Sequence, residues 1–507
     1  MSVSKSETNP PKTQSTMQKI LDNIWPIERH ELPKFLSITL LLFCILFIQN
    51  LIRATKDSVV NTMIGTETIA FLKSYGVLPA AFLITILYVK LVSSMKPEKI
   101  FYIMMSSFLV FFAFFGFVIF PYHEYFHLSP EDTSNLVQQM PHLKWFILLF
   151  SKWGFSLFYI IAELWPNAVF ALLFWQFVNN VTTVEESKRF YILFGLLGQT
   201  GLVISGTFLK NLSFISSNLI DEYNLALSIN TVSVELTMLI VSILGVIGLC
   251  TFWMLNNKIL KGKTSEVQFK VKKKSMSLSE SLKMVLASRY IRLIATILIC
   301  YGIAINLVES PWKKQATMVY PEVHQYLAFV GGYLHYTGIF TLIFVLLGSN
   351  IVRKLGWFAA AIITPIMVFT TGGLFFVTSN FTTISNELLG GLMMMDPIML
   401  AINIGAINNV LSKSSKYTLF DSTKEMSYVP LNDELKTKGK AAADVIGTKL
   451  GKSASALLQS LIFVIFPSAT YQSISIYLMG VFTFICIVWI WAVIELSKEY
   501  KAAIKEV

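Results

Sequence analysis

Long apolar runs separated by short polar ones dominate this chain. About 20 mostly apolar residues suffice for one membrane crossing. Runs of that kind lie at about 34–52, 68–91, 100–120, 145–178, 189–211 and 229–256, and a second set lies at about 290–310, 327–346, 357–377, 385–410, 441–466 and 473–496. The pattern predicts an all-α integral membrane protein with 12 transmembrane helices. It divides the chain into an N-terminal segment (1–33), a first six-helix half (34–256), a basic linker (257–289), a second six-helix half (290–496) and a tail (497–507).

Composition agrees. The chain is 54% apolar, carries 40 Phe and is only 14% charged, which excludes a soluble globular domain. Residues 1–33 are polar, and no small-residue cleavage site follows the first apolar run, so the first span is expected to be retained. Cys44, Cys250, Cys300 and Cys486 all fall inside predicted spans and read as packing residues without a disulfide framework.

The net charge of +11 raises nucleic acid as a partner, but the distribution of the basic residues argues against it. Lys258 to Arg289 form the most basic loop. Lys96 and Lys99, Lys188 and Arg189, Arg353 and Lys354, and Lys436, Lys438 and Lys440 fall on the same side by span counting, whereas 121–144, 212–228 and 467–472 are acidic or neutral. The positive-inside rule places the basic side, and with it both termini, in the cytoplasm. Lys313 and Lys314 are the clear exceptions.

The two halves echo each other. Asn50-Leu51-Ile52-Arg53 matches Asn306-Leu307-Val308-Glu309, Asn179-Asn180-Val181 matches Asn408-Asn409-Val410, and Leu197-Gly198-Gln199-Thr200 matches Leu450-Gly451-Lys452-Ser453. The pairs fall at equivalent spans in the same order. That supports two parallel six-helix repeats, a major-facilitator-like arrangement with the substrate site at the interface of the halves.

A charge at a helix centre costs about 2.5–3.5 kcal/mol on insertion scales, so each intramembrane ion is a functional candidate. Lys56 follows the first span, with Arg53 one turn before it and Asp57 beside it. Continuation of that helix through Val60 places both cations at its outer end, facing the cavity. Glu163 lies inside the fourth span before Pro166, Glu309 closes the seventh before Pro311, and Lys452 lies near the middle of the eleventh. The lysines and Arg53 suit phosphate oxygens. The two glutamates suit pairing with those lysines in an empty site, or a base or ribose hydroxyl in a full one. Interhelical salt bridges that only hold the bundle are the bland alternative. Lys56 and Glu309 also fit boundary residues that snorkel, as Lys152 is expected to do.

Two motifs carry less than they promise. His123-Glu124-Tyr125-Phe126-His127 matches HExxH, but it lies in a short loop with no evident third ligand, so no metal site is assigned. Gly447 to Ser453 resembles a phosphate-binding loop with one residue too few, inside an apolar span. Its Gly447 and Gly451 read as a close helix contact, as do Gly195, Gly198 and Gly201. Trp153, Trp165, Trp175 and Tyr417 have the chemistry to stack on a base, yet aromatic packing is the commoner role and none is assigned.

Taken together, the residues resemble the ADP/ATP translocases (nucleotide transporters) of obligate intracellular bacteria and plastids, which are distinct from the mitochondrial carrier. The likeness runs over nearly the whole chain. It includes Trp25-Pro26-Ile27, Arg53 to Asp57, Ala162-Glu163-Leu164-Trp165, Phe174 to Phe177, Glu185 to Tyr191, Asn306 to Glu309 with Trp312-Lys313, Lys416-Tyr417 with Phe420-Asp421, and Leu450 to Ser453. The resemblance implies a nucleotide antiporter of a bacterial inner membrane, typically exchanging host ATP for internal ADP, with no enzymatic activity and no cofactor. It implies transport roles for Lys56, Glu163, Glu309 and Lys452. Arg53, Asp57, Asn306, Lys313 and Gln199 complete the candidate set. The expected partners are nucleotides and membrane lipids, with phosphate co-transport open and neither nucleic acid nor an obligate protein partner evident. Ala54 and Pro166-Asn167 depart from the common pattern and leave the base open between ATP/ADP and other nucleotides. A proton-coupled organic-anion facilitator using Glu163 and Glu309 is the rival within transport. A membrane zinc enzyme and a scaffold are the rivals outside it.

Overall fold

The computed structural model describes residues 27–260, 278–381, 396–432 and 435–505. Residues 261–277 of the basic linker and the first 26 residues therefore lie outside the described ones. Among the described residues the chain is helical, with no strand. The helices are α1 (Leu32–Gly65), α2 (Thr68–Ser94), α3 (Pro97–Ile119), α4 (Trp153–Val181), α5 (Glu185–Lys210), α6 (Ile229–Ile259) and α7 (Arg289–Val319). Next come α8 and α9, the two parts of the run Val323–Asn380 on either side of Gly356. They are followed by α10 (Pro397–Ser415), α11 (Lys440–Ile465) and α12 (Ser475–Lys505).

Among the described residues, ten helices are long and apolar enough to cross a membrane. The more polar α10 and α11 stand where the tenth and eleventh spans are expected, and residues 385–395 of the expected tenth span lie outside the described ones. Gly356 has φ 82°, a left-handed value that suits glycine and strains any residue with a β-carbon. It turns the chain back between α8 and α9.

Departures from regular helix fall where the sequence supplies a cause. Pro166 has no N–H to donate, and α4 opens into a widened turn over Pro166–Phe174. The first helix runs well past the apolar stretch that predicts it, with Thr55, Lys56, Asp57 and Ser58 all buried. It ends in a second widened turn, Asn61–Gly65. The expected single span at 145–178 is in fact a short helix, Lys144–Ser151, followed by α4, with the break at Lys152. Lys152 does not snorkel. Its ammonium donates to the carbonyl of Met63, in the widened turn of α1.

The helices before the basic linker and those after it each show the same packing device. Trp165 on α4 donates its indole N–H to the Ile45 carbonyl on α1 at 3.2 Å, and Trp312 on α7 donates to the Ile402 carbonyl on α10 at 2.8 Å. Gly405 makes the second contact possible, since a β-carbon there would lie 2.1 Å from the Trp312 ring. Gly447 and Gly451 bring α11 against Leu298 and Ile299 of α7, as their spacing predicts. Of the three glycines on α5, Gly198 packs closely on Leu46, whereas Gly195 has open space beside it.

Across the two sets, α5 and α8 touch backbone to backbone. A β-carbon on Gly206 would sit 2.3 Å from the His335 backbone nitrogen, and one on Gly331 would sit 2.3 Å from the Lys210 nitrogen. Polar contacts between the sets also include Thr207 with His335, Ser213 with the His324 carbonyl, and Asn230 with Glu322. All these residues belong to the end of the bundle away from the chain termini. Among the described residues, the two sets are in contact at that far end. Gly331→Ala is expected to force α8 off α5 and cost about 1–3 kcal/mol, lowering the melting temperature in detergent. Gly332→Ala, with no heavy atom within 4 Å of the added carbon, is expected to leave it unchanged or raise it.

Candidate functional site

Past the middle of the bundle, toward its far end, the two sets of helices meet over charged side chains that a bilayer alone would exclude. Asp57 on α1 accepts from Lys56 at 2.6 Å through one carboxylate oxygen and from Lys313 of α7 at 2.9 Å through the other. Lys56 also reaches Glu163 on α4 at 2.8 Å and lies 4.0 Å above the centre of the Tyr159 ring. Lys313 reaches Glu309, one turn back on α7, at 3.1 Å. Lys56, Asp57 and Lys313 are each at most 5% exposed. The chain Glu163, Lys56, Asp57, Lys313, Glu309 thus alternates in sign and ties α4 and α1 to α7.

This geometry settles two sequence ambiguities. Lys56 and Glu309 are not boundary residues that snorkel, because both are held inside the ionic chain. Lys313 and Lys314, which break the charge pattern of the loops, are not loop residues: Lys313 belongs to the cluster and Lys314 pairs with the buried Glu67 at 3.2 Å. Lys73, on α2, donates to Asn306 on α7 at 3.1 Å and is a further basic member that sequence reasoning missed. Its only signal in the sequence is a lysine near the start of an apolar run, which is indistinguishable there from an ordinary span end.

Toward the chain termini the cluster opens onto a cavity of about 320 Å³ between α1, α4, α5, α8 and α10. Arg53 projects into it from α1 and is exposed despite its depth, so the cavity reaches solvent. Lys413 lines the opposite wall from α10, its ammonium 5.3 Å from the centre of the Tyr333 ring. Gln49, Gln199, Trp175 and Tyr417 complete the part of the wall that bears on chemistry. The amide oxygens of Gln49 and Gln199 are buried without a hydrogen-bond partner among the described residues. The sequence does not single out Lys413, because it lies just beyond the span expected at 385–410, whereas α10 runs on to Ser415.

The remaining expectations divide. Lys452 lies on α11, but its side chain is outside the described residues. Trp165 is a packing residue with its N–H satisfied. The HExxH histidines hold a loop: His123 contacts the Phe120 carbonyl at 2.8 Å, and His127 accepts from the Gly154 N–H at 3.2 Å. Among the described residues no group of three or more His, Cys, Asp or Glu side chains is placed to hold a metal ion.

Residues 11–500 match the protein family described as TLC ATP/ADP transporter. The chain belongs to that family. It is 63% identical to "ADP,ATP carrier protein 4" of Rickettsia bellii over 98% of this chain and 96% of the relative, and 62% identical to the protein of the same name from Rickettsia prowazekii over 100% and 99%. "ADP,ATP carrier protein 3" of Rickettsia bellii is 44% identical over 97% and 99%. Among solved structures, the chain is similar to a bacterial homologue of the iron transporter ferroportin (TM-score 0.56, 12% identity, 91% of this chain and 99% of the other). It is similar in the same degree to the nucleoside transporter NupG (TM-score 0.56, 9% identity, 91% and 99%). At such identities these likenesses show the fold alone, and the fold is that of the major facilitator transporters. This family member is thus a multi-pass membrane transporter and not an enzyme.

In this transporter, breaking a buried ion pair from one side leaves an uncompensated charge, at about 3–5 kcal/mol. Lys313→Gln is therefore expected to lower the melting temperature strongly. The pair Asp57→Asn with Lys313→Gln is expected to recover part of the loss, since it removes one charge of each sign. A double-mutant cycle on melting in detergent measures the coupling, and strictly additive losses would contradict the bridge.

Proposed function

We propose that this transporter is a nucleotide exchanger that takes up ATP and releases ADP by alternating access across a bacterial inner membrane, with both termini in the cytoplasm. The observation that carries the proposal is the surplus of basic side chains in the ionic cluster and the cavity beside it. Among the described residues there, Arg53, Lys56, Lys73, Lys313 and Lys413 stand against three carboxylates, Asp57, Glu163 and Glu309. Lys314 and Glu67 add a pair with no net charge. A polyanion compensates such a surplus, and a nucleotide also has a base suited to aromatic and amide side chains. The names of the relatives, which describe them as ADP,ATP carriers, point the same way.

The two halves, 34–256 and 290–496, would rock about this centre, joined on the cytoplasmic side by the basic linker 257–289. The described conformation, closed at the far end with its cavity reaching toward the termini, is then the inward-facing one. Lys452, on the helix packed against α7 through Gly447 and Gly451, is the further basic group that the family resemblance assigns to transport. A proton-coupled carrier fits less well. Glu163 and Glu309, the carboxylates it would use, each already accept from a lysine, so proton uptake there has to break an ion pair first.

Purified protein in liposomes is expected to take up labelled ATP when ADP is inside and to take up little when the vesicles hold none. Lys56→Ala and Lys452→Ala should each reduce that uptake at least about tenfold, the loss expected of one charge-assisted contact. Replacing internal ADP by GDP, CDP or UDP reports the base preference. Uptake driven by a pH gradient into nucleotide-free vesicles would instead establish the proton-coupled reading.

A further inference from the structure

The cations around the cavity fall into two classes that no sequence pattern distinguishes. Lys56 and Lys313 are locked to carboxylates, Lys314 is paired with Glu67, and Lys73 is held by Asn306. Arg53 and Lys413 are different. Both line the cavity, and among the described residues neither has a hydrogen-bond or ion-pair partner. Lys413 is 8% exposed and rests against the Tyr333 ring. A buried ammonium without a paired carboxylate is costly unless an anion visits it. The two side chains sit on opposite sets of helices, α1 and α10.

Resting on the nucleotide reading above, we propose that Arg53 and Lys413 form a phosphate clamp across the two halves, with Gln49 and Gln199 binding the nucleoside end of the same substrate. Arg53 supplies a planar fork for two phosphate oxygens, and Lys413 supplies a point charge from the facing wall. The two glutamines, on α1 and α5, have amide oxygens with no partner among the described residues, so base amino groups and ribose hydroxyls meet an unfilled hydrogen-bonding capacity. Trp175 borders the same cavity and packs edge-on against Tyr191, their ring centroids 5.2 Å apart, which makes an apolar wall for a base.

The clamp also accounts for exchange in place of net transport. Closing the cavity brings the walls that carry Arg53 and Lys413 together. Empty, the two basic side chains lose the screening of water as the walls meet, and their approach is opposed. With a polyphosphate between them the same approach is attractive. The return stroke therefore requires a passenger, and neutralising either cation weakens that requirement.

The test compares wild type, Lys413→Gln, Lys413→Arg, Arg53→Gln and Gln199→Leu in proteoliposomes. It reads KM for ATP and for ADP, and the efflux of labelled ADP into nucleotide-free medium. A charge-assisted phosphate contact is worth roughly tenfold or more in affinity. Lys413→Gln is expected to raise KM at least that much, more for ATP than for ADP, and to increase efflux without a counter-substrate, with Lys413→Arg restoring most of both. Gln199→Leu should weaken ATP and ADP equally. Where a variant transports too little to measure, the rise in its melting temperature with added ATP replaces KM: a cooperative transition that ATP no longer shifts supports the clamp. If the wild type exchanges nucleotides while Lys413→Gln and Arg53→Gln keep wild-type KM, ATP shift and counter-substrate requirement, the clamp is overturned and the functional reading stands. If the wild type exchanges none, both fall.

Discussion

Asp57 is the residue on which the ionic contact between α1 and α7 depends. Each of its carboxylate oxygens holds a lysine from a different set, Lys56 from its own α1 and Lys313 from α7. All three side chains are buried, so the attraction is little screened and the cost of leaving any one of them alone is high. The helices follow from that requirement. Only a polar extension of α1 beyond its apolar stretch can deliver Asp57 to this depth, and the widened turn Asn61–Gly65 ends the extension at the far face. The turn in α7 that carries Glu309 and Lys313 passes through Pro311, a helix interior position where proline is usually avoided.

An ionic chain that spans the interface cannot be permanent in a carrier whose helix sets must separate there. The links within one set, Lys56 with Glu163 and Lys313 with Glu309, can persist through a rigid-body motion because their partners move together. The link between Asp57 and Lys313 cannot. Nor can Lys314 with Glu67 or Lys73 with Asn306, which join α7 to the end of α1 and to α2. Opening the far end exposes these groups to water, and hydration then replaces what the ion pairs supplied. Hydration of the separated charges offsets part of the cost of breaking the links, the condition for passing between two states.

The sequence makes the bundle legible because a bilayer allows few ways to satisfy the backbone, and apolar length reports the helices directly. The same cost argument finds Lys56, Glu163 and Glu309, which the structure brings into one chain with Asp57. It misses three other cations near span boundaries. Lys313 lies a few residues past the expected end of its span and looks like a loop residue on the wrong side. Lys413 lies just past the end of its own, and Lys73 near the start of another. In each case the helix carries its polar residues farther into the bundle than hydropathy indicates, because other helices and not lipid surround them. Hydropathy measures the preference for lipid, so it is least informative for the faces that line a cavity.

Pairing, which only coordinates reveal, separates cations of identical sequence character. A lysine with a carboxylate at salt-bridge distance has its charge answered, and its removal disturbs the fold as well as any ligand. A lysine or arginine that borders a solvent-reaching cavity without such a contact keeps its N–H donors free for whatever enters. Lys56 and Lys313 belong to the first kind, Arg53 and Lys413 to the second. Arg53 lies one helical turn from Lys56 on α1, so negative charge brought to the cavity at Arg53 acts on that lysine through a short stretch of low dielectric. Weakening Lys56 with Asp57 leaves the aspartate more firmly with Lys313, and weakening Lys313 with Asp57 does the reverse. The α1 helix that carries Arg53 to the cavity and the contact of α1 with α7 are thus linked through a single shared carboxylate.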